Sequence, residues 1–148
     1  MGIYPHMDAV ACYCSNARRA ALALTSLYDG ALAPHGLKVT QFSLLHAVAR
    51  HGQPNLTELA EATGLDRSTL GRNLRVLEGL GFVSLSPGED QRDRVVTLTG
   101  GGRARLRAAA RAWAKIQESL SGTLGADADR LVAIARRVTA LARNPEAA

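Results

Sequence analysis

The chain has 148 residues, 47% of them hydrophobic and 21% charged, which suits one compact domain or a small domain with a dimerisation segment. Its net charge of +5 favours polyanionic partners without identifying one, since a solvated arginine-rich surface has the same charge. No apolar run approaches the roughly 18 residues that span a bilayer, and the first residues lack a signal-peptide pattern. We therefore expect a cytoplasmic protein with no membrane partner and with reduced thiols.

The first third of the chain has the periodicity of helices. Apolar residues at steps of three and four predict a first helix over residues 8–33, which Pro34 and Gly36 end. Thr40 is a suitable N-cap for a second helix over residues 41–50. These elements precede the most informative part of the sequence.

Two short helices separated by a tight turn follow. Asn55 and Glu58 have the spacing of a capping box, which predicts a third helix ending at Gly64. Asp66 then caps a fourth helix, predicted over residues 67–80. This arrangement is typical of a helix-turn-helix.

The fourth helix has an apolar face and an opposite face suited to a DNA groove. Leu70, Leu74 and Leu77 mark the face that we expect to be buried. Arginine can bind guanine O6 and N7 with two hydrogen bonds, and serine or threonine can reach bases or phosphates. The alternative is an ordinary amphipathic helix with a solvated face. The candidate DNA-binding residues of this helix are Arg67, Ser68, Thr69, Arg72 and Arg75.

A basic β-hairpin is predicted after the helix-turn-helix. Its strands cover residues 82–86 and 94–98, and the loop between them carries Asp90, Arg92 and Arg94. Such a hairpin can insert an arginine into the negative potential of a narrow minor groove. Asp90 would orient Arg92 through a carboxylate–guanidinium pair. A salt-bridged turn without a DNA-binding role is the alternative.

Two long helices are predicted at the end of the chain, over residues 103–120 and 127–142. Both have apolar residues at steps of three and four, which suits burial against other helices. In the fifth helix these residues are Trp113, Ile116 and Leu120, and in the sixth they are Leu131, Ile134, Val138 and Leu141.

The run LTELAEATGLDRSTLGRNLRVLEGLGFV, followed by DQRDRVVTLT, resembles the multiple-antibiotic-resistance regulator (MarR) family of winged-helix repressors. The upstream segment ALAPHGLKVTQFSLLHAV resembles the family's first loop and second helix. The resemblance implies a mainly α (α+β) fold, with a winged helix-turn-helix DNA-binding domain in residues 37–99. It also implies a helical dimerisation region formed by residues 1–36 and 100–148.

The function implied is that of a sequence-specific transcriptional regulator, a repressor that binds double-stranded DNA as a homodimer. A two-fold dimer should bind a pseudo-palindrome with half-sites about 10 base pairs apart. A small molecule or an oxidant would release it. A DNA-binding architectural protein without a sensing role is an alternative. No enzyme motif is present, so we expect no catalytic activity, cofactor or metal.

Two signals remain open from the sequence. Cys14 and Tyr28 match the positions of a reactive cysteine and its tyrosine in the peroxide-sensing branch of the family, and Cys12 lies beside them. A thiolate there would react with organic peroxide, although buried cysteines more often only pack. Capture of a soft metal or an arsenical by the two thiols is a further alternative, which one unbroken helix disfavours because it points the two sulfurs apart. The other signal is a small aromatic carboxylate. Its candidate pocket residues, which more often belong simply to the core, are Tyr28, Phe42, His46 and Trp113.

Overall fold

Six α-helices and two β-strands make up residues 12–90 and 93–144, the part of the chain that the computed structural model describes. The helices are α1 (Tyr13–Leu32), α2 (Val39–His51), α3 (Leu56–Thr63), α4 (Arg67–Gly79), α5 (Gly100–Leu124) and α6 (Asp127–Arg143). The strands are β1 (Val83–Pro87) and β2 (Arg94–Leu98), and a 3₁₀ turn (Ala33–His35) follows α1. This mainly helical architecture with a β-hairpin confirms the predicted fold class.

The helix-turn-helix and wing belong to the first of two compact units, which extends to Trp113. The second unit begins at Ala114 and contains the rest of α5 and all of α6. The core lies in the first unit, where side chains from the end of α1, the segment before α2, the helices α2, α3 and α4, the hairpin and the first half of α5 are almost fully buried. Its largest members are Leu32, Leu44, Leu45, Leu59, Leu70, Leu74, Leu77, Val48, Val96 and Pro54.

Two helix starts differ from the prediction. The described part of the first helix begins at Tyr13, after Cys12, its N-cap with extended backbone, and residues 8–11 of the prediction lie outside the described residues. The second helix begins at Val39, and its N-cap is Lys38, not Thr40. The amide of Val39 donates to Oδ1 of Asp29 at 2.7 Å, and the amide of Lys38 donates to Oε1 of Gln41 at 2.9 Å. Side-chain oxygens of α1 and of α2 itself therefore accept from the backbone amides at the start of α2, which have no partner within the helix.

The last two helices are longer than predicted. The fifth begins at Gly100 instead of Arg103 and extends four residues beyond Leu120, to Leu124. Thr99 supports its start, because its Oγ1 accepts from the amide of Gly102 at 3.0 Å. The sixth helix ends at Arg143, one residue later than predicted.

The two strands pair antiparallel, with Val83 opposite Leu98 and Pro87 opposite Arg94. The second strand lies at its predicted position, and the first is shifted by one residue. The amide of Val96 also donates to the carbonyl of Pro54 at 2.9 Å. The segment before α3 is thus joined to the wing by a backbone hydrogen bond.

Candidate nucleic-acid interface

The turn between α3 and α4 needs a glycine and an aspartate. Gly64 has φ 70° and ψ 10°, a left-handed conformation, and its amide donates to the carbonyl of Ala60 at 2.9 Å. Asp66 then caps α4 through its Oδ1, which accepts from the amide of Thr69 at 2.8 Å. The predicted capping box of α3 is also present, with both Asn55–Glu58 hydrogen bonds at 2.8 Å. The helix-turn-helix therefore follows from local signals.

The predicted division of α4 into two faces is confirmed for its core side. Leu70, Leu74 and Leu77 are each at most 1% exposed. The polar candidates lie elsewhere on the helix: Arg67, Ser68, Arg72 and Arg75 are exposed, and Thr69 is half-buried. The helix thus presents two arginines, Arg72 and Arg75, one turn apart on its outer surface.

Four side chains at the beginning of α4 form a hydrogen-bonded network. Oγ1 of Thr69 donates to Oδ2 of Asp66 at 2.7 Å. The guanidinium of Arg72 donates to Oγ1 of Thr69 at 3.3 Å and to Oγ of Ser68 at 3.4 Å. Hydrogen bonds from the side chain and backbone of Thr69, then from the backbone of Ser68, and last the charge of Arg72 lower the pKa of Asp66. The carboxylate therefore stays charged and keeps the network together.

The wing turns tightly between its strands. The amide of Gly88 donates to the carbonyl of Asp93 at 2.7 Å, and the amide of Asp93 donates to the carbonyl of Asp90 at 2.8 Å. Arg94 is exposed at the start of β2. Arg92 lies outside the described residues, and so does its predicted pairing with Asp90. A β-carbon on Gly88 would stand 2.9 Å from the carbonyl oxygen of Asp93, so this turn favours glycine.

Backbone and side-chain contacts fix the wing to α4. The amide of Phe82 donates to the carbonyl of Leu77 at 2.9 Å, and the amide of Leu85 donates to Oε1 of Glu78 at 3.4 Å. Arg94 and the arginines of α4 therefore belong to one unit.

Sequence reasoning missed one member of this site. It identified Asp66 only as a helix cap, whereas the structure also links its second oxygen to Arg72 through Thr69. The spacing Asp66–Thr69–Arg72, with three residues at each step, is the signal that could have shown it, because such residues lie on neighbouring turns of a helix.

Comparisons with known proteins agree with this geometry. The model of the MarR family matches residues 35–93, which contain the helix-turn-helix and the first wing strand. The M. tuberculosis transcriptional regulator MosR, solved in complex with DNA, is 36% identical with a TM-score of 0.78. That alignment covers 92% of this chain and 97% of MosR. The chain belongs to the MarR family.

Two further MarR-like structures are similar to the chain. The transcriptional repressor CouR, bound to a 23-mer DNA duplex, is 27% identical with a TM-score of 0.79, over 90% of this chain and 96% of CouR. Bordetella bronchiseptica BpsR, whose DNA binding is regulated by 6-hydroxynicotinic acid, is 26% identical with a TM-score of 0.73. That match covers 82% of this chain and 94% of BpsR. Comparison with curated proteins gives no match.

The candidate sensing residues of this MarR-family chain are distributed along α1. Cys12 and Cys14 are both exposed and both free thiols. Hydrogen bonds from Ser15, first from its side chain and then from its backbone, lower the pKa of Cys12. Tyr28 is 14 residues beyond Cys14 on the same helix, a distance of about 21 Å at 1.5 Å per residue. One chain therefore does not bring Tyr28 to the thiols.

The candidate ligand residues are only partly brought together. The rings of Phe42 and Trp113 stack with centroids 5.9 Å apart and planes inclined by 14°. Phe42 is buried in the core and His46 is exposed. Tyr28 is half-buried, and burial raises its pKa. The Phe42–Trp113 stack is thus the part of the predicted pocket that the structure assembles.

Residues 12–90 and 93–144 contain neither a metal-binding cluster nor a membrane-spanning helix. No cluster of three or more histidine, cysteine, aspartate or glutamate side chains there could hold a metal ion. Within the same ranges, no helix has the length and apolar character needed to cross a membrane.

Proposed function

We propose that this protein is a sequence-specific transcriptional repressor that binds a pseudo-palindromic operator as a homodimer and releases it on a chemical signal. The observation that carries the proposal is the exposed surface of α4, where Arg72 and Arg75 stand on a rigid, capped helix beside the wing. Arginines on such a helix can reach the major groove, and Arg94 at the wing can reach the backbone or minor groove. MosR and CouR, which share the fold and are solved in complex with DNA, support DNA binding by this chain.

The second unit supports the homodimer. Leu131, Ile134, Val138 and Leu141 lie on one face of α6, and all four are exposed in the single chain. The three-and-four spacing suits burial against a helix of a second copy. We assign the dimerisation region to residues 1–36 and 100–148 and the DNA-binding domain to residues 37–99.

The proposal is tested by footprinting the protein on the intergenic region upstream of its own gene, with random-sequence duplex as competitor. A protected pseudo-palindrome with half-sites about 10 base pairs apart is expected. Affinity should fall with salt by about 0.9 logarithmic units per phosphate contact for each tenfold increase. Arg94→Ala should weaken binding to all sequences, whereas Arg72→Ala should relax sequence preference. Equal affinity for the promoter fragment and for random duplex would contradict the proposal. A footprint that covers the whole fragment evenly, with no preferred sequence, would favour an architectural DNA-binding protein.

Thiol oxidation is the first candidate signal, and the exposed Cys12 and Cys14 favour it. Organic hydroperoxide would oxidise one thiolate to a sulfenic acid and leave as the alcohol. The second thiol would then attack that sulfur, expelling water and forming a disulfide. Hydrogen bonds from Ser15 lower the pKa of Cys12 and so favour its thiolate, the form that peroxide oxidises. Cumene hydroperoxide should dissociate the DNA complex of the parent but not of Cys12→Ser or Cys14→Ser, and unchanged binding after complete oxidation would exclude this signal.

A small aromatic carboxylate is the second candidate signal. The regulation of BpsR by 6-hydroxynicotinic acid and the Phe42–Trp113 stack in this chain favour it. A thermal-shift screen with salicylate and 6-hydroxynicotinate distinguishes the two signals. Stabilisation by such a compound, together with loss of DNA binding, would identify a ligand sensor. Stabilisation should be lost in Trp113→Ala.

A further inference from the structure

The hydroxyl of Thr69 is already occupied by neighbours on its own helix. Its single proton is donated to Oδ2 of Asp66 at 2.7 Å, and its oxygen accepts from Nη2 of Arg72 at 3.3 Å. While these bonds are present, Thr69 has no proton left to donate to a base or a phosphate. Its place in the candidate interface therefore calls for a different explanation from direct contact with DNA.

We propose that Asp66 and Thr69 are positioning residues, which hold the guanidinium of Arg72 in one orientation before DNA binds and thereby set base discrimination at the position that Arg72 contacts. This inference rests on the proposed DNA-binding function. Nη1 of Arg72 also donates to Oγ of Ser68 at 3.4 Å, so each of its two terminal nitrogens has a partner on the same helix. Each terminal nitrogen of the guanidinium carries a second N–H group, which remains to donate to a base.

Positioning affects specific and non-specific binding differently. An arginine that forms two hydrogen bonds to one base must adopt one orientation, and immobilising a free arginine side chain reduces affinity. A phosphate contact accepts many orientations, so non-specific binding does not depend on this preorganisation. Loss of the network should therefore lower the preference for the selected sequence while leaving the affinity for random DNA in place.

The charge of Asp66 provides a second diagnostic. A carboxylate at the DNA-facing end of α4 repels phosphates, and its hydrogen bonds keep it ionised. Removing the charge should strengthen or preserve the affinity for random duplex and should reduce the preference for the selected duplex. Loss of a residue that only caps the helix would instead lower the affinity for both duplexes. A loss of preference without a loss of affinity for random duplex therefore distinguishes a positioning role from a purely structural one.

Three substitutions divide the functions of the network. Asp66→Asn keeps an N-cap acceptor for the amide of Thr69, because asparagine and aspartate are similar caps, but removes the charge. Thr69→Val keeps the side-chain shape and removes the hydroxyl. Thr69→Ser restores the hydroxyl and is the matched control.

The experiment uses the full chain and a duplex selected by it from a random-sequence library. Dissociation constants for this duplex and for a random duplex of equal length are measured by fluorescence anisotropy at one salt concentration. Their ratio should fall about 2- to 12-fold in Thr69→Val and Asp66→Asn, the range expected for immobilising one long side chain. Thr69→Ser should match the parent. In an Arg72→Ala background, Thr69→Val should have no further effect. Thermal unfolding midpoints establish that each variant is folded.

The outcomes separate this proposal from the broader one. No sequence preference in the parent would overturn the proposed function itself. Preference that is lost in Arg72→Ala but fully kept in both Thr69→Val and Asp66→Asn would overturn only the positioning roles. An equal loss of affinity for both duplexes in Asp66→Asn would assign Asp66 to capping alone and would also overturn the proposal.

Discussion

Gly102 of α5 lies so close to the backbone carbonyl of Phe82 that a β-carbon on this glycine would overlap the carbonyl oxygen. The same β-carbon would stand 2.9 Å from a methyl group of Leu98. The hydroxyl of Thr99 bridges the two segments, because its Oγ1 donates to the carbonyl of Gly81 at 2.6 Å and accepts from the amide of Gly102 at 3.0 Å. The first turn of α5 is thus held directly against the start of the wing.

Gly102→Ala should destabilise the protein, because the added methyl group must displace backbone. Overpacking of this kind costs about 1–3 kcal/mol. Gly100→Ala is the matched control, since a β-carbon at Gly100 meets nothing within 4 Å and alanine favours a helix. The free energies of unfolding are measured by urea titration. Equal stability of the Gly102→Ala variant and the parent would show that the two segments do not approach so closely.

Arg105 joins α5 to the turn after α1, and its removal should lower the free energy of unfolding by about 1 kcal/mol. Its Nη1 donates to the carbonyl of His35 at 2.8 Å, and its guanidinium carbon lies 5.3 Å from the centre of the Phe82 ring. Arg105→Met removes both interactions and keeps much of the aliphatic stem. Arg107→Met, at an exposed arginine two residues further along α5, is the control. Equal effects of the two substitutions would indicate that only net charge matters.

Much of the helix-turn-helix could be predicted because its signals are local. Asn55 and Glu58 satisfy each other's backbone amides within one turn of helix, so their spacing alone predicts the start of α3. Leu70, Leu74 and Leu77 recur at helical steps, and the same periodicity places all three in the core.

The sequence predictions fail where the partner of a backbone or side-chain group lies far away in sequence, or where residue spacing does not indicate that partner. Val39 begins α2 because Asp29 of α1 accepts its amide, and nothing near Thr40 reveals this. The run Gly100–Gly102 reads as a helix breaker, yet only glycine fits at position 102 against Phe82. Likewise, the role of Thr69 depends on which neighbours use its hydroxyl, which composition and periodicity do not specify.

A charge on the apolar face of α6 should dissociate the proposed dimer. Ile134 and Val138 are 56% and 59% exposed in the single chain, so burial of what remains exposed against a second copy would stabilise association by about half of the roughly 1.5–3 kcal/mol that a fully exposed side chain gains. Ile134→Asp would instead bury an unpaired charge. Thr139→Asp, on another face of the same helix, is the control. Sedimentation velocity should give a monomer for Ile134→Asp and a dimer for Thr139→Asp, and a dimer in both would contradict this interface.

Cys12 should form a thiolate at lower pH than an ordinary cysteine, because hydrogen bonds from Ser15 lower its pKa. The thiolate is the form that reacts with iodoacetamide, so the alkylation rate follows its fraction as pH rises. With Cys14→Ser leaving Cys12 as the target, the midpoint of this pH profile should lie below the ordinary cysteine value. Adding Ser15→Ala should raise the midpoint, because the stronger of the two hydrogen bonds from Ser15, that of its side chain, is lost. Cys12→Ser, which leaves Cys14, provides the comparison for general effects of Ser15→Ala on the helix start. A midpoint for Cys12 that Ser15→Ala leaves unchanged would show that this serine does not stabilise the thiolate.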